Sequence, residues 1–283
     1  MKLRHIVIDA TRHLIADDGL ALAGNIAFCM ILALFPFLIL VTALAGFAGN
    51  QQLAETVINY LFSVAPKEIT GPLTPEVHKL LTVPRSDILT IGALLTIWTA
   101  SGAVESVRVG LNRAYEFSER RSYLFRLVQN TLFVIGGAVV LLVLAVLIVF
   151  GPVLWSKIIF YLPAVDRFTG WFHLLRYPIS LSLAVVALVL GHLFLPVARH
   201  RLKELLPGIG FTMVLWMIGA VGYGEYLARF SALSSMYAGL TGFIIALTFL
   251  YLSAVLLIWG GEVNQALITA RLTREQLEAF RSR

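Results

Sequence analysis

Charged side chains are scarce in this sequence of 283 residues. They make up 13% of the chain, whereas hydrophobic residues make up 59%, and the mean hydropathy is +0.85. Soluble domains carry roughly 25% charged residues, so this chain has too little polar surface to cover a water-soluble globule. The shortage of charge predicts an all-α, polytopic membrane bundle.

The sequence also has little of what most catalytic and metal sites require. Its single cysteine, Cys29, excludes an intramolecular disulfide and a C-x-x-C metal or redox site. Phosphate-binding glycine loops, G-x-S-x-G and H-E-x-x-H motifs are absent. His192, inside an apolar run, is expected to bond to another helix rather than to relay protons. These observations predict a protein that is not an enzyme and needs no metal or cofactor.

Six apolar segments are long enough to cross a bilayer, which takes roughly 20 mostly apolar residues. Their approximate bounds are 21–47, 88–104, 127–150, 179–198, 207–227 and 239–261. We expect these six transmembrane helices to form one membrane domain over residues 21–267. Pro36 predicts a kink or a break in the first helix, because proline removes a backbone hydrogen-bond donor.

The flanking segments are amphipathic. Residues 1–20 carry an apolar face and predict an interfacial helix on the membrane surface. Two further short amphipathic helices, QLAETVINYLFSVAP and LTPEVHKLL, are expected between residues 48 and 87. The loop 151–178 is rich in the aromatic rings that favour the headgroup layer. Residues 268–283 are expected to form a cytoplasmic tail.

The distribution of basic residues predicts the orientation. Fifteen of the 22 Lys and Arg residues fall on the side of the two termini, and seven fall on the other side. Cytoplasmic loops carry the excess of positive charge in membrane proteins, so both termini are expected in the cytoplasm. This bias also explains the net charge of +6 without a specific nucleic-acid partner.

A polar face continues beyond the second span, within Trp98–Arg121. At 100° per residue its polar residues fall within about 80° of one another. They are Ser101, Glu105, Arg108, Asn112, Tyr115 and Glu119. One interpretation is a helix that leaves the membrane, with charges reaching the headgroups. The other is a face that lines a cytoplasmic vestibule inside the bundle.

Three further polar residues lie within or at the ends of spans. Asn25 is expected to bridge the first span to another helix, with a solute contact as the alternative. Glu262 and Asn264 end the last span, where a Glu262–arginine pair would join the second and sixth spans or act as a gate. The adjacent Gly260 and Gly261 predict close helix approach.

Four segments carry a family resemblance. In chain order they are NIAFCMILALFPFLIL, WTASGAVESVRVGLNRAYE, LPGIGFTMVLWMIGAVGYGEYLARF and YAGLTGFIIALTFLYLSAVLLIWGGEVNQAL. They resemble segments of the BrkB/YihY-type bacterial inner-membrane proteins, which were long mislabelled ribonuclease BN. Cys29, Ala33, Ala238 and Phe249 depart from the family pattern. The resemblance implies six spans, a location in the inner membrane and a role in envelope integrity or export, without defining a reaction.

Together these observations give two hypotheses. The first is a transporter or exporter of an amphiphilic, lipid-like or anionic solute, with membrane lipids as partners and an oligomer allowed. Its candidate solute-binding residues are Asn25, Ser101, Glu105, Arg108, Asn112, Arg113, Glu262 and Asn264. The second is a non-transporting scaffold for envelope assembly, which predicts a bundle without a cavity.

Overall fold

The computed structural model describes residues 3–47, 86–144, 147–148, 151–230 and 238–281, and these ranges hold helices without any strand. The helices are α1 (Leu3–Ala16), α2 (Gly19–Phe47), α3 (Ser86–Ala114), α4 (Tyr123–Leu144), α5 (Gly151–Tyr161), a 3-10 helix (Pro163–Phe168), α6 (Thr169–Phe194), α7 (Leu202–Phe230) and α8 (Ala238–Arg281). The predicted all-α membrane bundle is confirmed. The two amphipathic helices expected between the first two spans lie outside the described residues.

Six of these helices have between 22 and 44 residues, and each overlaps one of the expected apolar segments, although α4 and α6 end several residues before the expected bounds. Within the described part of the chain, α4, α6, α7 and α8 are long and apolar enough to cross a membrane. The bent pair of α1 and α2 adds a fifth candidate. Helix α3 is not among the candidates found within the described residues.

The first two helices meet in a sharp turn. The axes of α1 and α2 differ by 68°, and Asp18 between them has a left-handed backbone with φ of 56°. One face of α1, formed by Ile6, Ala10 and Leu14, is buried, and α1 contacts α2 and α8. The apolar face of α1 therefore packs against the protein itself. Its expected position on the membrane surface stays a prediction.

One expectation about local structure is wrong in part and another is wrong. Helix α2 runs without a break through Pro36 to Phe47, so the expected break is absent while the expected kink stays a prediction. The segment expected as a loop between residues 151 and 178 is helical, with α5 folding back on the start of α6. There the rings of Trp155 and Phe172 stack with centroids 4.5 Å apart, and Trp155 donates a hydrogen bond to Thr169. Ring stacking and this bond replace the irregular loop.

Helix α3 lies at the centre of the bundle. It contacts α2, α4 and α8, while α8 also packs on α7, and α6 joins α4 to α7. The buried apolar residues form two clusters, one around Leu111 and Leu205 and the other around Ile26 and Ile258. Helix α3 or the residues directly after it contribute to both clusters, and several polar side chains of α3 are buried, whereas Arg113 near its end is exposed.

Glycines bring α7 and α8 into backbone contact, as the sequence predicted for Gly260. A Cβ atom on Gly260 would lie 2.8 Å from the carbonyl oxygen of Gly208. A Cβ atom on Gly208 would lie 2.5 Å from the amide oxygen of Asn264, which accepts a hydrogen bond from the Gly208 N–H at 2.6 Å. The two backbones therefore meet closely at this level, and the side chains of Thr212 and Asn264 pack against the two glycines.

This contact predicts that Gly208→Ala destabilises the protein by about 1–3 kcal/mol, because the added methyl group overpacks the interface. Gly210→Ala is the matched control, since a Cβ atom there meets nothing within 4 Å. Its expected effect is a gain of about 0.5–1 kcal/mol from the better helix former. Equilibrium unfolding of both variants in detergent–SDS mixtures checks the opposite signs, and equal effects would contradict the close contact.

Candidate functional site

The polar face of α3 is buried in the bundle. Ser101 is 6% exposed, Asn112 is 4% exposed, and Arg108 is fully buried. This burial supports the interpretation in which the polar face points into the bundle and rules out charges spread into the headgroups. Helix α3 ends at Ala114, however, so Glu119 belongs to the segment after the helix, which corrects its expected place on the helical face.

Arg108 is the centre of a polar network between α3 and α4. Its guanidinium forms an ion pair with Glu105, one turn earlier. The same group donates to the amide oxygens of Asn130 at 2.5 Å and Gln129 at 3.0 Å on α4. Arg126, also on α4, pairs with the other carboxylate oxygen of Glu105. We call these five residues the arginine network.

Asn130 completes the arginine network. Its side-chain N–H donates to Glu105 at 2.9 Å, while its oxygen accepts from Arg108. The amide thus bridges the two charged partners and fixes the rotation of α4 against α3. A buried charge costs several kcal/mol unless it is paired and hydrogen-bonded, and this arrangement supplies both conditions for the guanidinium.

A second polar group ties the segment after α3 to the end of α6. Glu119 accepts two hydrogen bonds from the Arg121 guanidinium, at 2.7 and 2.8 Å, and a third from Asn112 at 3.1 Å. Arg121 also donates to the carbonyl of Leu195 at 2.6 Å, and the Asn112 oxygen accepts from the N–H of Val197. The Arg121 bonds lower the pKa of Glu119 from 4.5 to about 2.

A histidine and tyrosine cluster fills the space beside this segment. Nδ1 of His192 donates a hydrogen bond to the carbonyl of Leu188 in its own helix, at 2.9 Å, so the expected bond to another helix is wrong. The ring of Tyr115 lies edge-on to His192, with centroids 6.3 Å apart, and also packs on His200. Burial lowers the pKa of His200 and favours its neutral ring.

The residues at the end of the last span lie away from the arginine network. Asn264 donates to the hydroxyl of Tyr115 at 3.1 Å, besides accepting from Gly208. Glu262 is 2% exposed and forms no ion pair with an arginine among the described residues. The expected Glu262–arginine pair is therefore wrong, because Arg108 points to α4 and Arg113 lies exposed at the surface.

Asn25 forms the helix bridge that the sequence predicted. Its side-chain N–H donates to the Ser106 hydroxyl on α3 at 3.0 Å. Cys29, one turn later on α2, lies 3.5 Å from the same hydroxyl. Asn25 thus helps to hold α2 against α3. Cys29 also lines a neighbouring pocket.

An open pocket of about 450 Å³ lies between α2, α3 and α4. Its lining residues are Cys29, Leu32, Trp98, Thr99, Ser101, Gly102, Glu105, Tyr123, Arg126, Leu127 and Asn130. This volume falls within the range of roughly 300–1,000 Å³ for small-molecule sites. The Ser101 hydroxyl is buried and has no hydrogen-bond partner in the described part of the chain. The pocket therefore offers an unsatisfied polar group beside the arginine network.

The structure divides the predicted site residues into separate groups. Ser101 and Glu105 line the pocket, and Arg108 stands behind them. Other pocket residues were missed, above all Arg126 and Asn130 at the start of α4. Their signal was present in the sequence RLVQN, where polar residues three and four positions apart share one face of an otherwise apolar helix.

Comparisons with known proteins identify one family and several related sequences. The family described as "Virulence factor BrkB" matches residues 10–282. YfkH of Bacillus subtilis, whose name describes it as ribonuclease-like, is 25% identical over 88% of this chain and 90% of its own length. No solved structure is significantly similar to the chain.

Several relatives carry the name UPF0761 membrane protein. RSc1559 of Ralstonia nicotianae is 24% identical over 99% of this chain and 62% of its own length. The relative from Tolumonas auensis is 24% identical over 89% of this chain and 82% of its own length. The chain thus spans less than two thirds of RSc1559 and most of the other two relatives.

Removal of the buried guanidinium tests the arginine network. We expect Arg108→Ala to destabilise the protein by about 3–5 kcal/mol, because Glu105 loses its buried partner. Arg113→Ala removes an exposed arginine from the same helix and is expected to change stability by less than about 0.5 kcal/mol. Unfolding in detergent–SDS mixtures measures both variants, and similar effects would show that the network carries no special stability.

The lowered pKa of Glu119 predicts how its contribution to stability depends on pH. Its lowered value means that the ionised side chain stabilises the fold fully above pH 4.5, the ordinary value, and that this contribution is lost as pH falls toward about 2. The difference in melting temperature between the wild type and Glu119→Gln is therefore expected to be constant from pH 6 to 8 and to shrink below pH 4.5. A difference that grows on acidification would contradict the Arg121 pairing.

Proposed function

The chain belongs to the BrkB family of membrane proteins, and from this premise we infer that it is a transporter or exporter of an amphiphilic, lipid-like or anionic solute. We place it in the bacterial inner membrane, where such movement supports the cell envelope. The observation that carries the proposal is the pocket between α2, α3 and α4. Binding and release suffice for this function, so the proposal contains no chemical step.

The walls of the pocket match the two halves of an amphiphile. Leu32 and Trp98 are exposed apolar side chains on α2 and α3, and Leu127 faces them from α4. Glu105 and Arg126 form its polar part. An acyl chain would contact the apolar side chains of this pocket. A headgroup would contact its polar part, where hydrogen-bond donors and the Arg126 cation lie.

Charge favours an anionic headgroup. Arg108, Arg121 and Arg126 face the two carboxylates of Glu105 and Glu119, which leaves one excess positive charge in this region. Arg126 is 28% exposed, so its guanidinium is accessible to an anion while it remains beside Glu105. The unpartnered Ser101 hydroxyl supplies a neutral donor at the same depth.

Orientation of the protein follows from the basic residues, of which fifteen of 22 lie on the side of the termini. We propose that both termini and the arginine network lie toward the cytoplasm. The pocket then accepts a headgroup from the inner leaflet. Charge pairs at such depths in membrane proteins typically serve a solute path or a structural bridge, and the open pocket favours the solute path.

The scaffold hypothesis makes a different prediction. A non-transporting scaffold needs only packed helices and predicts that filling the pocket has no effect on function. Interhelical bonds such as Asn25 to Ser106 suit a scaffold equally well. The pocket is the feature that separates the two hypotheses, and so the experiment is aimed at the pocket.

Gly102 allows the pocket to be filled without disturbing its walls. It lines the pocket, and a Cβ atom added there meets nothing within 4 Å. In liposomes with fluorescent phosphatidylglycerol, we expect the wild type to exchange lipid between leaflets faster than empty liposomes. Gly102→Phe is expected to slow this exchange about tenfold or more, a barrier increase of about 1.4 kcal/mol.

The matched control is Gly137→Phe on α4. This position also has nothing within 4 Å of an added Cβ atom, and it is exposed on the surface away from the pocket. We expect wild-type exchange from this variant. Equal rates for the wild type and Gly102→Phe would favour the scaffold, as would a wild type that moves neither the labelled lipid nor a small anion above the rate of empty liposomes.

A further inference from the structure

Three potential ligand side chains meet where α1 ends and α8 passes it. They are His13 and Asp17 at the end of α1, and Glu262 on α8. One nitrogen or oxygen atom from each side chain lies within 4.8 Å of those of the other two. This group is separate from the pocket, because none of its residues lines that space. Its members are far apart in the sequence, which is why no spacing motif indicated a metal site.

Glu262 points to a ligand independently of this clustering. The side chain is 98% buried, and its Oε1 atom has no hydrogen-bond partner among the described residues. A buried carboxylate without a partner costs several kcal/mol. Because the expected arginine pair is absent, this oxygen requires either a proton or a bound cation.

Two further carboxylates near His13 add negative charge to this cluster. Glu116, directly after α3, lies 3.6 Å from Nδ1 of His13, and Asp9 lies 3.9 Å from its Nε2. Both separations are longer than a hydrogen bond, so neither nitrogen of His13 is committed to these carboxylates. The imidazole and the carboxylates therefore remain free to turn toward a common cation.

We propose that His13, Asp17 and Glu262 bind a divalent transition-metal ion, with Zn²⁺ as the preferred occupant. One imidazole nitrogen and two carboxylates form a mixed donor set that suits Zn²⁺ better than Mg²⁺ or Ca²⁺, which favour oxygen ligands alone. Three protein ligands leave a fourth position for water. The exposed His13 and the partly exposed Asp17 give access from the aqueous side.

The ion would act as a clamp between the first and last described helices. His13 lies on α1, Asp17 lies at the start of the 68° turn into α2, and Glu262 lies on α8. Metal binding would therefore fix α1 against α8 and hold the angle of this turn. This site is independent of solute movement through the pocket, so either inference can fail without the other.

The test uses the full-length protein in detergent, freed of metal by a chelator and titrated with Zn²⁺ by calorimetry, with Mg²⁺ as the comparison ion. We expect one Zn²⁺ per chain and weaker binding of Mg²⁺. Asp17→Asn and His13→Ala are each expected to weaken Zn²⁺ binding by at least about tenfold, since each removes one ligand. The Gly102→Phe protein is expected to bind Zn²⁺ like the wild type.

His200→Ala is the matched control. His200 lies 3.9 Å from Glu204, four residues later, and so forms a histidine–carboxylate pair away from α1. Its removal is expected to leave the Zn²⁺ affinity unchanged. The Asp17 side chain is only partly buried, so we expect Asp17→Asn to fold. Size-exclusion chromatography checks this expectation. Absence of saturable Zn²⁺ binding, or equal affinity in the wild type, Asp17→Asn and His13→Ala, would overturn the proposal.

Discussion

A fully buried guanidinium in a mostly apolar bundle sets the main constraint on this structure. Arg108 has to find its partners inside the protein, because no water-facing route is open to its side chain. Glu105 on the same helix supplies the opposite charge, while Asn130 and Gln129 supply oxygen atoms from α4. The contact of α3 with α4, and with it one wall of the pocket, follows from this requirement.

Helix α3 separates two polar regions with different character. On the side of α4 lies the arginine network with its excess of positive charge. On the side of α1 and α8 lie Glu262 and the carboxylates around His13. Tyr115 stands between these regions and binds Asn264. One central helix thus keeps regions of opposite charge apart, which prevents the arginine of one from neutralising the carboxylates of the other.

The sequence was sufficient to predict the helices but insufficient to pair their side chains. Continuous apolar runs located all six long helices, and the spacing of polar residues placed Ser101, Arg108 and Asn112 on an inward face. Partners across helices depend on the rotation of each neighbour, which local patterns do not encode. For this reason Arg108 was expected near Glu262 and instead meets α4. The end of α3 was missed because Glu116 adopts a left-handed backbone although it is not glycine.

The contact between Gly208 and Gly260 has a mechanical consequence. Where side chains separate two helices, rotamer changes can absorb a small slide of one helix past the other. Main chain lies directly on main chain here, and Asn264 locks the register through the Gly208 N–H. A slide of α7 past α8 at this level would have to break the bond between Gly208 and Asn264 and separate the two backbones, so the register of this helix pair resists such a shift.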